Sequence, residues 1–314
     1  MSRIHEALKK AEEERARGRL TLQDPKTAEL SAIGTATQEG VLANAAEGAS
    51  TSPPAGLDDG ADQLTLEVIR TQVRRFEWNP NPTTMLFFGQ EAYAPGTEEF
   101  RTLRTHLYEA RDFQPLRTVL ITSASPQEGK SFMAANLAQI FVKQPDRRVL
   151  LIDGDLRWPR LHLSLGTFSA PGLSDYLRGE ANELSIMQRG SLDNLFFIAG
   201  GKHASDPAEM IANGRLKDLL LRLSPLFDWV IIDSPPAMMV SDSRMMADMC
   251  DGVLLVVAAG TGSYAIVQKA CQQFNNKRML GVVLNRAEPR RSYSYKYYGA
   301  YYGPAKDGNG KGKD

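Results

Sequence analysis

Arg117-Thr-Val-Leu-Ile-Thr-Ser-Ala-Ser-Pro-Gln-Glu-Gly-Lys-Ser131 decides how the rest of the chain is read. Its first six residues, Arg117–Thr122, form a β-branched apolar run of strand character. Ala124–Ser131 follows with the spacing of a Walker A phosphate loop, with alanine in place of the first glycine. Behind it, Ser131–Gln144 opens a helix whose apolar positions are Ala134, Leu137, Ala138 and Phe141. A strand, a tight loop and a helix start aim backbone N–H groups and a positive helix end at a phosphate chain. Lys130 is placed to neutralise the β and γ phosphates, and the Ser131 hydroxyl to ligate magnesium. Ala124 lacks glycine's freedom at positive φ, so the loop needs a backbone shape that alanine tolerates.

Further apolar runs repeat the pattern outward from this loop. They are Arg148–Ile152, Asn194–Ile198, Trp229–Ile232, Gly252–Val257 and Gly281–Leu284, separated by helical stretches. Nearly continuous apolar strands imply burial on both faces, as in a parallel sheet covered by helices. The alternation predicts an α/β, doubly wound, mainly parallel sheet of the P-loop NTPase fold over residues 86–289. Its ligand site belongs at the carboxyl ends of the strands. Upstream, Glu98–Ala110 is helical in pattern with Phe100, Leu103 and Leu107 on one face, and Leu64–Phe76 alternates weakly as an edge strand.

Two of these strands end in carboxylates. Asp153 and Asp155 follow Leu150-Leu-Ile152, and i, i+2 spacing lets both face one site. Two unpaired carboxylates so close raise each other's pKa, whereas a divalent cation lets both stay ionised. Gly154 between them permits a close backbone approach. Asp228-Trp-Val-Ile-Ile-Asp233-Ser-Pro-Pro236 has the Walker B form, which places Asp233 to hold magnesium directly or through water. Asn285, after the last strand, is a candidate for reading an adenine edge, or else a turn cap.

The bulk properties exclude several classes. Of 314 residues, 37 are basic and 37 acidic, so no global bias points to nucleic acid or an anionic bilayer. Cys250 and Cys271 have no metal-like or redox-like spacing, which fits a reducing compartment. The amino terminus has no secretory pattern, and apolar runs such as Gly252–Gly260 are about half of what a bilayer needs. Any membrane association is therefore expected through a partner. Residues 1–85 read as an amino-terminal helix (Ser2–Arg19), solvated or docked on a partner, then a flexible Ala/Gly/Ser/Thr/Pro-rich linker. Residues 290–314 read as a flexible tail carrying Tyr293, Tyr295, Tyr297, Tyr298, Tyr301 and Tyr302 among Arg, Lys and Gly. Such tyrosines suit phosphate acceptance, since each phosphate adds nearly two negative charges.

Together these residues resemble the bacterial protein-tyrosine kinases of capsule and exopolysaccharide loci, often called BY-kinases, over about residues 90–303. The resemblance rests on Ser125–Ser131, Asp153-Gly-Asp-Leu-Arg157 with Pro159, Gly172–Leu177, Asp233-Ser-Pro-Pro236, Leu280–Asn285 and the tyrosine-rich tail. The opening Met1-Ser-Arg-Ile-His-Glu-Ala-Leu8 is similar to that of soluble autokinases beside exopolysaccharide export genes. The resemblance implies ATP and Mg2+ as cofactors, with Gln127, Glu128, Gly129, Lys130, Ser131, Phe132 and Asn285 around the nucleotide. It implies Ser131, Asp153 and Asp233 as metal-holding residues, and either Asp155 or Asp153 as acceptor of the tyrosine proton. It also implies autophosphorylation of the tail, mostly in a neighbouring subunit of a ring-like homo-oligomer. Glu98, Arg101 and Arg104 match the family's association helix, although such a charged face is also common on solvated helices. A separate membrane-embedded chain-length partner and a phosphotyrosine phosphatase complete what it implies, with the chain cytoplasmic and peripheral at the inner membrane. Gln127 departs from the family, where glycine is frequent. The rival readings are a P-loop ATPase switch of the septum-positioning or partition type, and a non-catalytic nucleotide-binding subunit. The first carries a lysine where this chain has Ser125.

Overall fold

Apolar side chains that alternate in direction along each strand build the sheet and divide the core into two layers. In the computed structural model, residues 64–88, 96–260, 263–274 and 279–287 are described. The strands are β1 (Arg74–Arg75), β2 (Thr118–Ser123), β3 (Val149–Asp153), β4 (Met187–Arg189), β5 (Leu195–Ile198), β6 (Trp229–Asp233), β7 (Gly252–Ala258) and β8 (Met279–Asn285). They form one sheet in the order β1-β4-β5-β3-β6-β2-β7-β8. Every pairing is parallel except β4 with β5. One face carries Leu120, Leu150, Ile152, Val230 and Ile232; the other carries Val119, Ile121, Leu151 and Ile231. The expected doubly wound α/β sheet is therefore present. Each of the six expected strands lies within two residues of its predicted bounds.

The helix after the phosphate loop, Lys130–Val142, is buried along nearly its whole length from Met133 to Phe141. Two polar side chains inside it have a structural task. Asn136 Oδ1 accepts from Leu86 N at 2.8 Å and its Nδ2 donates to Thr84 O at 2.7 Å. Gln139 Oε1 accepts from Phe87 N at 3.1 Å. These amides satisfy backbone groups that would otherwise be buried without partners. Packing thus extends upstream of residue 86, with Ile69, Val73, Trp78 and Met85 all in the core.

The edge strand expected over Leu64–Phe76 is corrected. Leu66–Gln72 is a helix, and only Arg74–Arg75 pairs as a strand, against β4. Thr65 Oγ1 accepts from Val68 N at 3.3 Å and starts the helix. That local cap outweighs a weak alternation. The amino-terminal helix, the linker and the tail tyrosines lie outside the described residues. Among the described residues, no helix is long and apolar enough to cross a membrane.

On the face covered by Lys130–Val142, Phe141 stacks on Trp229 with ring centroids 4.2 Å apart, and Tyr108 meets both rings edge-on. This cluster ties the loop helix to the strand that ends in Asp233. Phe141→Ala is expected to lower unfolding stability by about 3–5 kcal/mol, read as a fall in urea midpoint at unchanged m-value.

Candidate active site

Three adjacent strands deliver the site. β2 runs into the phosphate loop, β6 lies beside it and ends in Asp233, and β3 lies beside β6 and ends in Asp153. Parallel register sets Asp153 opposite Asp233. The chain turns sharply after β3, where Gly154 N donates to Asp233 O at 2.8 Å. A Cβ on Gly154 would stand 2.7 Å from that oxygen, so the close approach requires glycine.

Lys130 reaches across this floor. Its Nζ donates to Asp155 Oδ2 at 3.0 Å, lies 4.0 Å from Asp233 Oδ1, and is 3.4 Å from Ser131 Oγ. Asp153, Asp155 and Asp233 are all buried. Asp153 Oδ2 accepts from Leu161 N at 3.0 Å. Among the described residues, Asp153 Oδ1 and Asp233 Oδ1 have no hydrogen-bond partner, although both are buried.

One ammonium among three carboxylates leaves the cluster short of positive charge. Burial, then the Asp233 and Asp155 charges, push Asp153 well above the usual carboxylate range, against the Leu161 N–H and Lys130. Burial raises Asp233 to about 6, despite Lys130 and a hydrogen bond from Ser131. Burial pulls Lys130 down, but Asp233 and Asp155 outweigh it and hold the ammonium above its ordinary value.

The loop itself is tightly specified. Gly129 has φ 96° and Gln127 has φ 63°, while Ala124 is not among the described residues at positive φ. Gln127 therefore sits in a left-handed conformation that costs a side-chain-bearing residue roughly 1–2 kcal/mol. Glu128 turns back on its own loop, where its carboxylate accepts from Ser125 N at 2.6 Å. Asn285 Nδ2 donates to Glu128 O at 2.9 Å, and its Oδ1 accepts from Arg286 N at 2.9 Å. A Cβ on Gly129 would come within 2.0 Å of that Nδ2, so the amide lies against the loop. The ring of Phe132 meets Phe100 at 5.9 Å. As first-turn residues, Lys130, Ser131 and Phe132 have N–H groups with no intrahelical acceptor.

The residues fit a hard divalent cation. Mg2+ is usually held by one or two carboxylates together with substrate phosphates and water. The bare Oδ1 atoms of Asp153 and Asp233 and the Ser131 hydroxyl supply such a set. Among the described residues, no group of three or more His, Cys, Asp or Glu side chains forms a cage, and this mode of binding needs none.

Elsewhere, Glu98 and Arg101 pair on the exposed side of the helix Thr97–Phe113. Arg104 instead donates to Ile140 O at 3.2 Å and joins that helix to the loop helix. Sequence reasoning missed one arrangement at the site. Arg157 donates through Nε and Nη2 to both oxygens of buried Asp242, at 2.8 and 3.0 Å. This fork locks the turn after Asp155 to the segment after Asp233. Arg157 and Asp242 are 85 residues apart in sequence, and no local pattern joins them.

Comparison with known proteins places this geometry. Residues 119–299 match the CobQ/CobB/MinD/ParA nucleotide binding domain model. The chain is 32% identical over 205 residues to the Bacillus subtilis tyrosine-protein kinase YwqD, covering 65% of this chain and 86% of that protein. It is 33% identical over 206 residues to the Salmonella typhimurium tyrosine-protein kinase wzc, covering 65% of this chain but only 28% of that one. Among solved structures, the kinase domain of the Escherichia coli tyrosine kinase ETK matches with TM-score 0.57 and 30% identity, over 62% of this chain and 79% of that one.

Between its unfolded and folded pKa, a carboxyl group whose folded pKa is raised is protonated in the folded chain while already ionised in the unfolded one. The contribution of Asp233 is therefore full below its unfolded value of 3.8 and is lost as pH rises through about 6. Without nucleotide or divalent cation, the urea midpoint is expected to fall between about pH 4 and about pH 6.5, and Asp233→Asn to flatten that slope. A wild-type slope of the opposite sign would contradict the arrangement.

Proposed function

We propose a function from one premise: the chain belongs to the CobQ/CobB/MinD/ParA nucleotide binding domain family and, within it, to the bacterial tyrosine-protein kinases. It is a protein-tyrosine autokinase that uses ATP and acts on its own tyrosine-rich tail, Tyr293, Tyr295, Tyr297, Tyr298, Tyr301 and Tyr302, mostly in a neighbouring copy. The observation that carries this reading is Lys130 poised between Asp155 and Asp233 at the mouth of a phosphate loop.

The chemistry follows from that pose. Loop and first-turn N–H groups grip the phosphates. Lys130 turns from Asp155 to the β and γ oxygens, a short move for a flexible ammonium. Asp155, freed of its partner, takes the proton from the incoming phenol. The phenolic oxygen forms the new O–P bond as the bond from the γ phosphorus to the departing ADP oxygen breaks, in line. Asp153 is fully buried and held by Leu161 N–H, so it suits a metal-holding role better than that of the base. Mg2+, when bound by Asp153, Asp233 and Ser131, neutralises charge on the phosphate oxygens. Asn285 and Glu128 keep the loop in shape, and Arg157 with Asp242 fixes the turn that carries Asp155.

The wider setting follows the family. Self-association through the helix of Glu98, Arg101 and Arg104 presents one copy's tail to the next. Accumulated tail phosphate then repels a neighbour's anionic site and loosens the assembly. A membrane-embedded chain-length partner and an opposing phosphatase connect that cycle to polysaccharide polymerisation and export. Ser125 in place of the switch ATPases' lysine speaks against the rival reading.

Purified chain incubated with ATP and Mg2+ is expected to carry phosphate on peptides from residues 290–314, mapped by mass spectrometry. Lys130→Met is expected to lower that labelling by about 100-fold or more. ATP hydrolysis with no protein labelling would instead indicate the switch ATPase.

A further inference from the structure

The segment after Asp155 is fastened at most of its residues. Leu156 and Leu161 are buried, and Arg157 is forked onto Asp242. Pro159 packs on Gly200 so closely that a Cβ there would meet its Cβ at 2.4 Å. Trp158 N donates to Asp155 Oδ1 at 3.1 Å and to Asp155 O at 3.2 Å, which closes a turn on the carboxylate. Yet the Trp158 side chain is 73% exposed. On the neighbouring loop, after Asp233, Met239 is 64% exposed. Their parent strands, β3 and β6, are parallel paired neighbours, so the loops that carry Trp158 and Met239 both leave the carboxyl end of the sheet, where the site lies.

An exposed indole on an anchored backbone costs little entropy to use in binding, because its main chain is already ordered. Aromatic rings pair best with other aromatic rings, edge-on or offset. We propose that Trp158, beside Asp155, is the platform that receives the ring of an acceptor tyrosine from the tail of a second copy. The occupant is argued from the chain itself. The tail holds six of the ten tyrosines, and it follows β8, at the sheet edge four strand spacings from β3. Those spacings amount to roughly 19 Å. The inference rests on the kinase reading above and names the residue that selects its acceptor. The backbone of Trp158 holds the turn on Asp155, while its indole meets the acceptor ring. Changing the side chain therefore alters how much acceptor is needed and leaves the nucleotide and the transfer step alone.

The test is a transfer assay between full-length chains. The acceptor is the Lys130→Met chain with a size tag, so that its label is read separately, and the kinase is wild type, Trp158→Ala or Trp158→Phe. Trp158→Ala is expected to raise KM for the acceptor chain by roughly 3- to 10-fold, the size of one aromatic pair. Its kcat and nucleotide affinity are expected to stay near wild type, and Trp158→Phe to restore most of the loss. An unchanged KM would overturn the platform while leaving the kinase reading intact. A raised KM accompanied by lost self-association in sedimentation would also overturn it, as Trp158 would then belong to the subunit contact. No transfer by wild type would overturn both.

Discussion

A buried ammonium set against three buried carboxylates is the constraint on which the rest of this structure depends. Lys130 alone does not balance Asp153, Asp155 and Asp233, and burial makes the remaining negative charge expensive. Protons partly relieve it in the free chain, which is why Asp153 and Asp233 are both pushed upward. A metal-bound polyphosphate, the ligand proposed above, would relieve it differently. In the proposed function the cation would take the bare carboxylate oxygens, and the phosphates would take the lysine. The free site is therefore unfavourable in a way that the proposed ligand would correct.

The fold can hold this arrangement because the sheet leaves little freedom. Register places Asp153 opposite Asp233, and the Gly154 N–H bond to the Asp233 carbonyl fixes how closely the two strand ends approach. The aromatic stack of Phe141 on Trp229 fixes the loop helix to the same strand from the other side. Asn285 then holds the loop from β8, two strands beyond β2. Lys130 is thus the movable element in a rigid surround, which suits a reaction that needs positioning more than covalent participation.

Much of this was legible in the sequence. Strands buried on both faces leave continuous apolar runs such as Val149–Ile152, and the loop motif between strand and helix fixes where the site lies. β4 was not legible, because three residues in an antiparallel pairing leave no period to detect. The helix Leu66–Gln72 was missed because one buried residue, Ile69, gives no apolar stripe. At the site, residue types and spacings pointed to Lys130 and the aspartates. The Arg157–Asp242 fork and the grip of Asn285 on Glu128 join residues 85 and 157 positions apart, so they exist only once the chain has folded. Gln127 is a mixed case. Its departure from glycine was visible, but its left-handed backbone was not.

Calorimetry of ATP binding to the full-length chain, with and without Mg2+, tests the central claim most directly. The account predicts heat of binding that requires Mg2+ and disappears in both Lys130→Met and Asp233→Asn. Binding that ignored the cation, or that survived loss of the lysine, would contradict it.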